Sequence, residues 1–148
     1  MPANTAPIFG LIPVVAGVAP SAVNTRSDGV GTIATDIFRA FTAGTSGAWI
    51  SKIRFASTAS VAATNTTNTS VRVFISSQTT GATTAANTFQ VAEANLPAVS
   101  AANTVNPTTG VEIPLNIAIP AGWAVLVTYH VATAANTGIQ AIVFGTDY

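Results

Sequence analysis

The stretch GVEIPLNIAIPAGWAVLVTYHV, residues Gly110–Val131, decides the fold class. Each of its halves alternates apolar residues with other residues, and a Pro-Ala-Gly turn separates the two halves. A period of two is typical of a half-buried β-strand, because successive side chains leave opposite faces of a pleated chain. Pro120 fixes its own φ and Gly122 permits positive φ, so the turn can reverse the chain. The stretch predicts a long β-hairpin with one apolar face, which a second sheet must cover.

The rest of the chain repeats this pattern in shorter pieces separated by loops of Thr, Ala, Asn and Gly. We expect further strands in Thr32–Thr42, residues 48–58, Val71–Ile75, Thr88–Leu96 and Ile139–Phe144. Thr32–Thr42 also fits helical spacing, but the flanking glycines and the strand-rich remainder favour a strand. About seven or eight strands separated by turns are typical of an antiparallel sandwich or barrel. The sequence therefore predicts an all-β fold, a single antiparallel jelly-roll-like β-sandwich over residues 24–148.

Residues 1–23 differ from this domain, because they are apolar and carry prolines at positions 2, 7, 13 and 20. Prolines at this spacing exclude a helix and disfavour a central strand. We expect an extended apolar N-terminal arm, which either packs on its own domain or docks on a partner. Its apolar run from Ile8 to Ala19 is shorter than the about 20 residues that span a bilayer. No basic residue precedes that run, so we expect no signal peptide, no membrane insertion and synthesis in the cytoplasm.

The charge content sets the chain apart from ordinary soluble domains. Charged residues make up 7% of its 148 residues, and five basic residues balance five acidic ones, whereas about 25% is usual. Such a chain has no basic field for nucleic acid and no polybasic patch for anionic lipid. Interface cores are depleted of charge, and a protein with zero net charge tends to associate. The composition favours a docked subunit over a free protein that hydroxyl and amide groups keep soluble.

Groups that carry chemistry are scarce in this sequence. The single histidine, His130, lies in the second half of the organising stretch, and no acidic residue is spaced to pair with it. A Ser-His-Asp triad is defined in space, so the sequence leaves it open, but we expect a structural histidine. One histidine, no cysteine and isolated carboxylates exclude the usual zinc and calcium sets. We predict no enzymatic activity, no cofactor and no metal.

Three further groups of residues invite a functional interpretation. Glu93 and Glu112 would form a glycosidase pair only if they faced each other across a cleft, and two exposed acids are the simpler expectation. Trp49 and Trp123 share alternation faces with apolar strand residues, so we expect them in the core. The cations would share one outward face if their strands pair in register: Lys52, Arg54 and Arg72.

Several motifs resemble those of small structural proteins from tailed-phage particles. They are the run Ile119-Pro120-Ala121-Gly122-Trp123 with the strand after it, the end Gly145-Thr146-Asp147-Tyr148, the strand Arg72-Val73-Phe74-Ile75, and the strand-turn-strand from Phe41 to Phe55. The resemblance covers residues 24–148. It implies a viral protein of the capsid cement or decoration type, a virion component on the outer surface of the bacteriophage capsid. Such proteins are non-catalytic oligomers that bridge neighbouring major capsid protein subunits.

From the arm and the cations we expect a partner interface, and closed symmetry leads us to expect a dimer or trimer. The expected interface residues are Ile8, Phe9, Leu11, Ile12, Val14, Val15, Lys52, Arg54 and Arg72. The alternative is a carbohydrate- or receptor-binding β-sandwich module of a phage tail or fibre, which would present aromatic residues in its loops. A hydrolase would require His130, a serine and an acid to converge in one cleft.

Overall fold

The computed structural model describes residues 10–59, 65–98 and 110–148. These residues form strands and no helix. In chain order the strands are β1 (Ile12–Val18), β2 (Gly31–Thr32), β3 (Phe38–Thr42), β4 (Ala48–Ala59), β5 (Thr69–Ser76), β6 (Ala82–Thr83), β7 (Thr88–Leu96), β8 (Gly110–Ile119), β9 (Ala124–Tyr129) and β10 (Thr137–Asp147).

Two four-stranded sheets pack face to face. The front sheet has the order β1-β10-β4-β8 and the back sheet the order β3-β9-β5-β7, while β2 and β6 form a small separate pair. All neighbouring strands of the two large sheets are antiparallel. The predicted all-β antiparallel sandwich is confirmed.

The strand pairs are nested along the chain. β1 pairs with β10, β3 with β9, β4 with β8, and β5 with β7. Two further pairings, of β10 with β4 and of β9 with β5, join these pairs into the sheets. This is the connectivity of one long hairpin that has been rolled up.

The predicted local hairpin in residues 110–131 is wrong, because its two strands lie in different sheets. β8 pairs with β4 at the edge of the front sheet, and β9 lies between β3 and β5 in the back sheet. Gly122 has a φ of 72°, and the Trp123 N–H donates to the Pro120 carbonyl at 3.2 Å. The turn is therefore real, but it carries the chain from one sheet to the other. A period of two identifies a strand and says nothing about its partner.

An apolar layer between the sheets forms the core. All its central side chains are fully buried, and burial of each contributes about 1.5–3 kcal/mol; they include Ile50, Ile53, Phe55, Val71, Val73, Val125, Val127 and Val143. A smaller cluster covers the outer side of the back sheet with Ile37, Phe74, Ala124 and Leu126. Burial on both faces explains why β9 reads AVLVTY, apolar at nearly every position.

Residues 32–42 form a strand over only part of the predicted range. A turn follows β2, with Ala34 at a φ of 71°, and β3 begins at Phe38. Ile33 and Ile37 meet in an isolated bridge. The local helical spacing in the sequence reflects this turn, which places Ile33 and Ile37 in the cluster outside the back sheet.

Part of the expected N-terminal arm packs on its own domain. Ile12–Val18 form β1, an edge strand of the front sheet that pairs with β10 along its whole length. The structure thus places part of residues 1–23 inside the sandwich. Proline disfavours a central strand but is compatible with an edge strand, where its missing N–H costs no ladder bond if it points to solvent. Pro13 is the proline within β1.

A β-bulge at Ser51 interrupts β4. The register shifts between Ile50 and Lys52 against β8, and the same site shifts against β10. The Ser51 hydroxyl donates to the Phe144 carbonyl at 2.9 Å. An extra residue reverses the alternation, so Ile50 and Ile53 are both buried while Trp49 is 38% exposed. The prediction that Trp49 lies in the core is wrong for this reason.

The bulge predicts different effects for the same substitution at two positions of β10. A Cβ at Gly145 would lie 2.2 Å from the Trp49 carbonyl oxygen, a backbone atom that cannot move freely. We expect Gly145→Ala to lower the free energy of unfolding by about 2 kcal/mol, the size of an overpacking defect. The measurement is urea unfolding followed by circular dichroism.

Gly138→Ala is the control for this prediction. A Cβ there would lie 3.3 Å from the Thr58 hydroxyl, on a side chain that can turn away. We expect an unchanged or slightly raised stability, because glycine in a strand carries an entropic cost. Equal stability losses in the two variants would contradict the close approach at the bulge.

Candidate interaction surface

The outer side of the front sheet, called here the front face, is defined by three rows of neighbouring residues. In an antiparallel register, paired residues point to the same side of the sheet. The rows are Pro13–Thr146–Trp49–Ala118, Val15–Phe144–Lys52–Pro114 and Gly17–Ile142–Arg54–Glu112. Most of these residues are apolar, although the face is open to solvent.

Exposure is greatest toward β1. Val15 is 71% exposed, and Leu11, just before the strand, is 78% exposed. Trp49 adds an aromatic surface on β4, two strands away from β1. Contiguous apolar surface of this kind, rimmed by a few polar groups, is typical of an interaction site.

The front face carries three charged residues, the cations Lys52 and Arg54 and the acid Glu112, and two of them form an ion pair. The Lys52 ammonium lies 2.9 Å from a Glu112 carboxylate oxygen and 5.3 Å from the centre of the Phe144 ring. Hydrogen bonding to Lys52 lowers the pKa of Glu112, and Arg54 adds a smaller effect in the same direction. The face therefore presents apolar surface with a compensated ion pair at its centre.

Four of the expected interface residues lie on or beside this face: Leu11, Val15, Lys52 and Arg54. Ile12 is exposed at the start of β1 but points to the other side of the sheet, since it pairs with Asp147 on the same side as buried Ala48. Val14 is half-buried and points between the sheets, since it pairs with Gly145 on the same side as buried Ile50. Ile8 and Phe9 lie outside the described residues. The sequence identified the apolar part of the surface through its lack of charge, and missed Trp49 because of the bulge.

Arg72 lies on the other side of the molecule. Its strand, β5, belongs to the back sheet, so the predicted face shared with Lys52 and Arg54 is wrong. Only 10% of its side chain is exposed, and its Nε donates to a Glu93 carboxylate oxygen at 2.8 Å. Its Nη1 lies 3.4 Å from the carbonyl oxygens of Thr25 and Arg26. Arg72 thus ties the connector after β1 to the back sheet.

The groups considered for catalysis occupy separate places. Glu93 is paired with Arg72 in the back sheet and Glu112 with Lys52 in the front sheet, so they do not form a glycosidase pair. The His130 Nδ1 atom lies 3.5 Å from the Arg72 guanidinium. Among residues 10–59, 65–98 and 110–148, no three His, Cys, Asp or Glu side chains are grouped as a metal site. The same ranges contain no helix that could cross a membrane.

A second exposed feature is an aromatic pair at the turn between β8 and β9. The rings of Phe89 and Trp123 are stacked with their centroids 6.4 Å apart and an angle of 18° between their planes. Phe89 is 45% exposed. Trp123 is half-buried beside Phe89 and precedes β9, so it does not lie in the central core as its alternation predicts.

The chain matches no protein-family model and no curated protein. The two surfaces described above are the candidates for a functional site. The front face is the larger of them, and it contains most of the residues that the sequence indicates.

The Arg72 cluster predicts a stability effect. Arg72→Met removes the guanidinium that donates hydrogen bonds to Glu93 and to two backbone carbonyls. These partly buried acceptors then lose a hydrogen-bond donor. We expect a loss of about 2 kcal/mol in the free energy of unfolding, measured by urea denaturation. The control is Arg39→Met, which removes an exposed hydrogen bond to the Thr79 carbonyl and should change stability by less than about 0.5 kcal/mol. Similar losses in both would contradict a structural role for Arg72.

The same cluster predicts a pH dependence. Hydrogen bonding to Arg72 lowers the pKa of Glu93 below its ordinary value of 4.5. The ion pair therefore stabilises the fold above pH 4.5, and this contribution is lost as the pH falls through the lowered folded-state pKa. A carboxyl NMR titration should give a pKa for Glu93 below 4.5 in the native protein and a higher one in Arg72→Met. An unchanged pKa in the variant would show that Arg72 is not the cause.

Proposed function

We propose that the chain is a non-enzymatic structural protein of a tailed-phage particle, a cement or decoration protein that docks on the outer surface of the head. The front face carries this proposal: it is an exposed, mostly apolar sheet surface on which the Lys52 charge is already paired with Glu112. The resemblance of residues 24–148 to small phage virion proteins supports the same assignment. The partner is the major capsid protein, and each copy bridges neighbouring capsid subunits.

The proposed mechanism is stabilisation by burial. A specific interface covers about 800 Å² on each partner, and apolar surface contributes about 25 cal/mol per Å² before the costs of association are subtracted. Trp49 is the proposed anchor, since aromatic residues dominate the energetics of interfaces. The contribution is repeated at every copy on the shell, so a modest gain per contact stabilises the whole particle.

The pairing of Lys52 with Glu112 fits this mechanism. Burying an unpaired charge on docking would cost far more free energy than burying a charge that is already in an ion pair. The pair can thus be covered by a shell surface that offers no opposite charge. Binding driven by such a face should depend only weakly on salt, because salt screens interactions between charges and leaves apolar burial in place.

The proposal is tested by pelleting the protein with phage heads assembled without it. We expect saturable binding and a higher melting temperature of the heads. Trp49→Ala should weaken binding about tenfold, which corresponds to about 1.4 kcal/mol. Phe89→Ala is the matched control, because it removes an aromatic ring of similar exposure from a different surface.

Point substitutions are needed in this experiment because deletion of residues 1–20 would remove β1 from the front sheet and disturb the fold itself. Failure of the protein to bind heads, together with its recovery in tail fractions, would overturn the proposal. If Trp49→Ala and Phe89→Ala weakened binding to heads equally, the front face would not be the docking surface.

The Phe89–Trp123 pair favours a second candidate function, a carbohydrate- or receptor-binding module of a phage tail or fibre. Binding sites of this kind use exposed aromatic surface held by a rigid scaffold, and the pair lies where a turn meets the back sheet. This candidate is the one that recovery in tail fractions would favour.

Fluorescence tests the second candidate, because the chain has two tryptophans, Trp49 and Trp123. If a glycan binds at the pair, titration should change the emission of Trp123. Phe89→Ala should abolish that response, since it removes the ring that stacks on Trp123, whereas Trp49→Ala should keep it. A response that follows Trp49 instead would contradict glycan binding at the Phe89–Trp123 pair.

A further inference from the structure

The free side of β1 is an unusual edge. No described strand pairs with it, since β1 ends the order of the front sheet. β1 has seven residues and follows β10 without a bulge. The first charged residue of the chain is Arg26, so neither β1 nor the residues that precede and follow it in the sequence up to position 25 carry a charged side chain. The edge therefore presents a regular backbone and apolar side chains.

Soluble proteins usually protect such edges. Charged side chains, bulges, prolines, short strands or a covering segment prevent an edge from pairing with another chain. In β1 the only device of this kind is Pro13, the second residue of the strand. Pro13 lacks an N–H but keeps a carbonyl acceptor. Backbone groups alternate between the two sides of a strand, so about half of the five residues after Pro13 direct an unmodified N–H and C=O to the free edge.

We propose that the β1 edge pairs with β1 of a second copy of this chain, antiparallel about a twofold axis. The two front sheets then form one eight-stranded sheet. A twofold axis satisfies the free edges of both copies at once and closes the assembly, because the same strand serves on each side. This inference goes beyond docking on a capsid and does not depend on it.

The side chains of β1 define the register. With the axis at Val15, the pairs are Val15 with Val15, Val14 with Ala16, Pro13 with Gly17, and Ile12 with Val18. Each Pro13 ring then faces a glycine that has no side chain, and the missing N–H falls near the end of the ladder. A register centred on Val14 would instead place Pro13 against Val15 and shorten the ladder. Val15, Pro13 and Gly17 stay on the front face in the proposed register.

Size and charge indicate the strength of this dimer. Seven residues at about 3.4 Å each give a strip about 24 Å long. Because the strip is only one strand wide, it covers less area than the about 800 Å² per partner of a standard interface. Two uncharged edges do not repel each other, and the chain has zero net charge. We therefore expect a reversible dimer whose population rises with concentration.

Sedimentation velocity of the full chain over a hundredfold range of concentration tests this proposal. We expect a monomer–dimer equilibrium. Val15→Lys places two like charges directly opposite each other at the axis and should weaken the dimer at least tenfold. Val131→Lys is the matched control: this residue is 41% exposed, lies outside β1, and should leave the dimer intact. Thermal unfolding followed by circular dichroism verifies that both variants fold.

Cross-linking tests the register separately, because the natural chain has no cysteine. Cα atoms opposite each other in an antiparallel ladder are about 4.5–5.5 Å apart, within the range of a disulfide. Under oxidation Val15→Cys should form a covalent dimer, and Val131→Cys should not.

A native chain that stays monomeric at every concentration would overturn the inference, as would a trimer or a Val15→Lys variant that dimerises like the native chain. Cross-linking no stronger at position 15 than at position 131 would overturn the register. None of these experiments contains phage heads, so their failure is distinguishable from failure of the proposed docking.

Discussion

Burial of the apolar layer between the two sheets is the interaction on which the rest of the molecule depends. A sheet of four strands has one face that must be covered, and here each sheet covers the other with side chains such as Ile53, Phe55 and Val127. The front face is the reverse side of the strands that supply this layer. Its composition therefore consists of the strand residues that alternate with the core residues. The bulge at Ser51 changes once which residues of β4 these are.

Much of the fold could be predicted from the sequence, because a half-buried strand leaves a period of two. The limits of β7 match the predicted Thr88–Leu96, and the alternating apolar positions of β8 do pack against the core. Strand partners could not be predicted, since the hydrophobic pattern of one strand does not indicate which strand lies next to it. The bulge was missed for a related reason. An extra residue moves the residues before it to the opposite face, but the sequence still alternates on both sides of the bulge. Counting positions back from Ile53 therefore placed Trp49 in the core.

The candidate surface could be predicted in part. Leu11 and Val15 were identified because an apolar segment without charges is unusual at a protein surface. Arg72 was placed wrongly, since a basic residue in a strand gives no indication of the sheet it belongs to or of a buried partner such as Glu93. The stacking of Phe89 on Trp123 joins two residues distant in sequence, so only the three-dimensional structure reveals it.

The nested pairing of the strands has a consequence for the order of events during synthesis. β1 is made first, but its partner β10 follows more than a hundred residues later. The strand between β1 and β4 is thus missing until nearly all of the described chain has been made, and contacts so distant in sequence form slowly. Through that interval both edges of β1 are open, and an uncharged apolar strand in that state is exposed to aggregation. The absence of charged side chains in β1, on which the proposed dimer rests, thus also makes the nascent chain prone to aggregation.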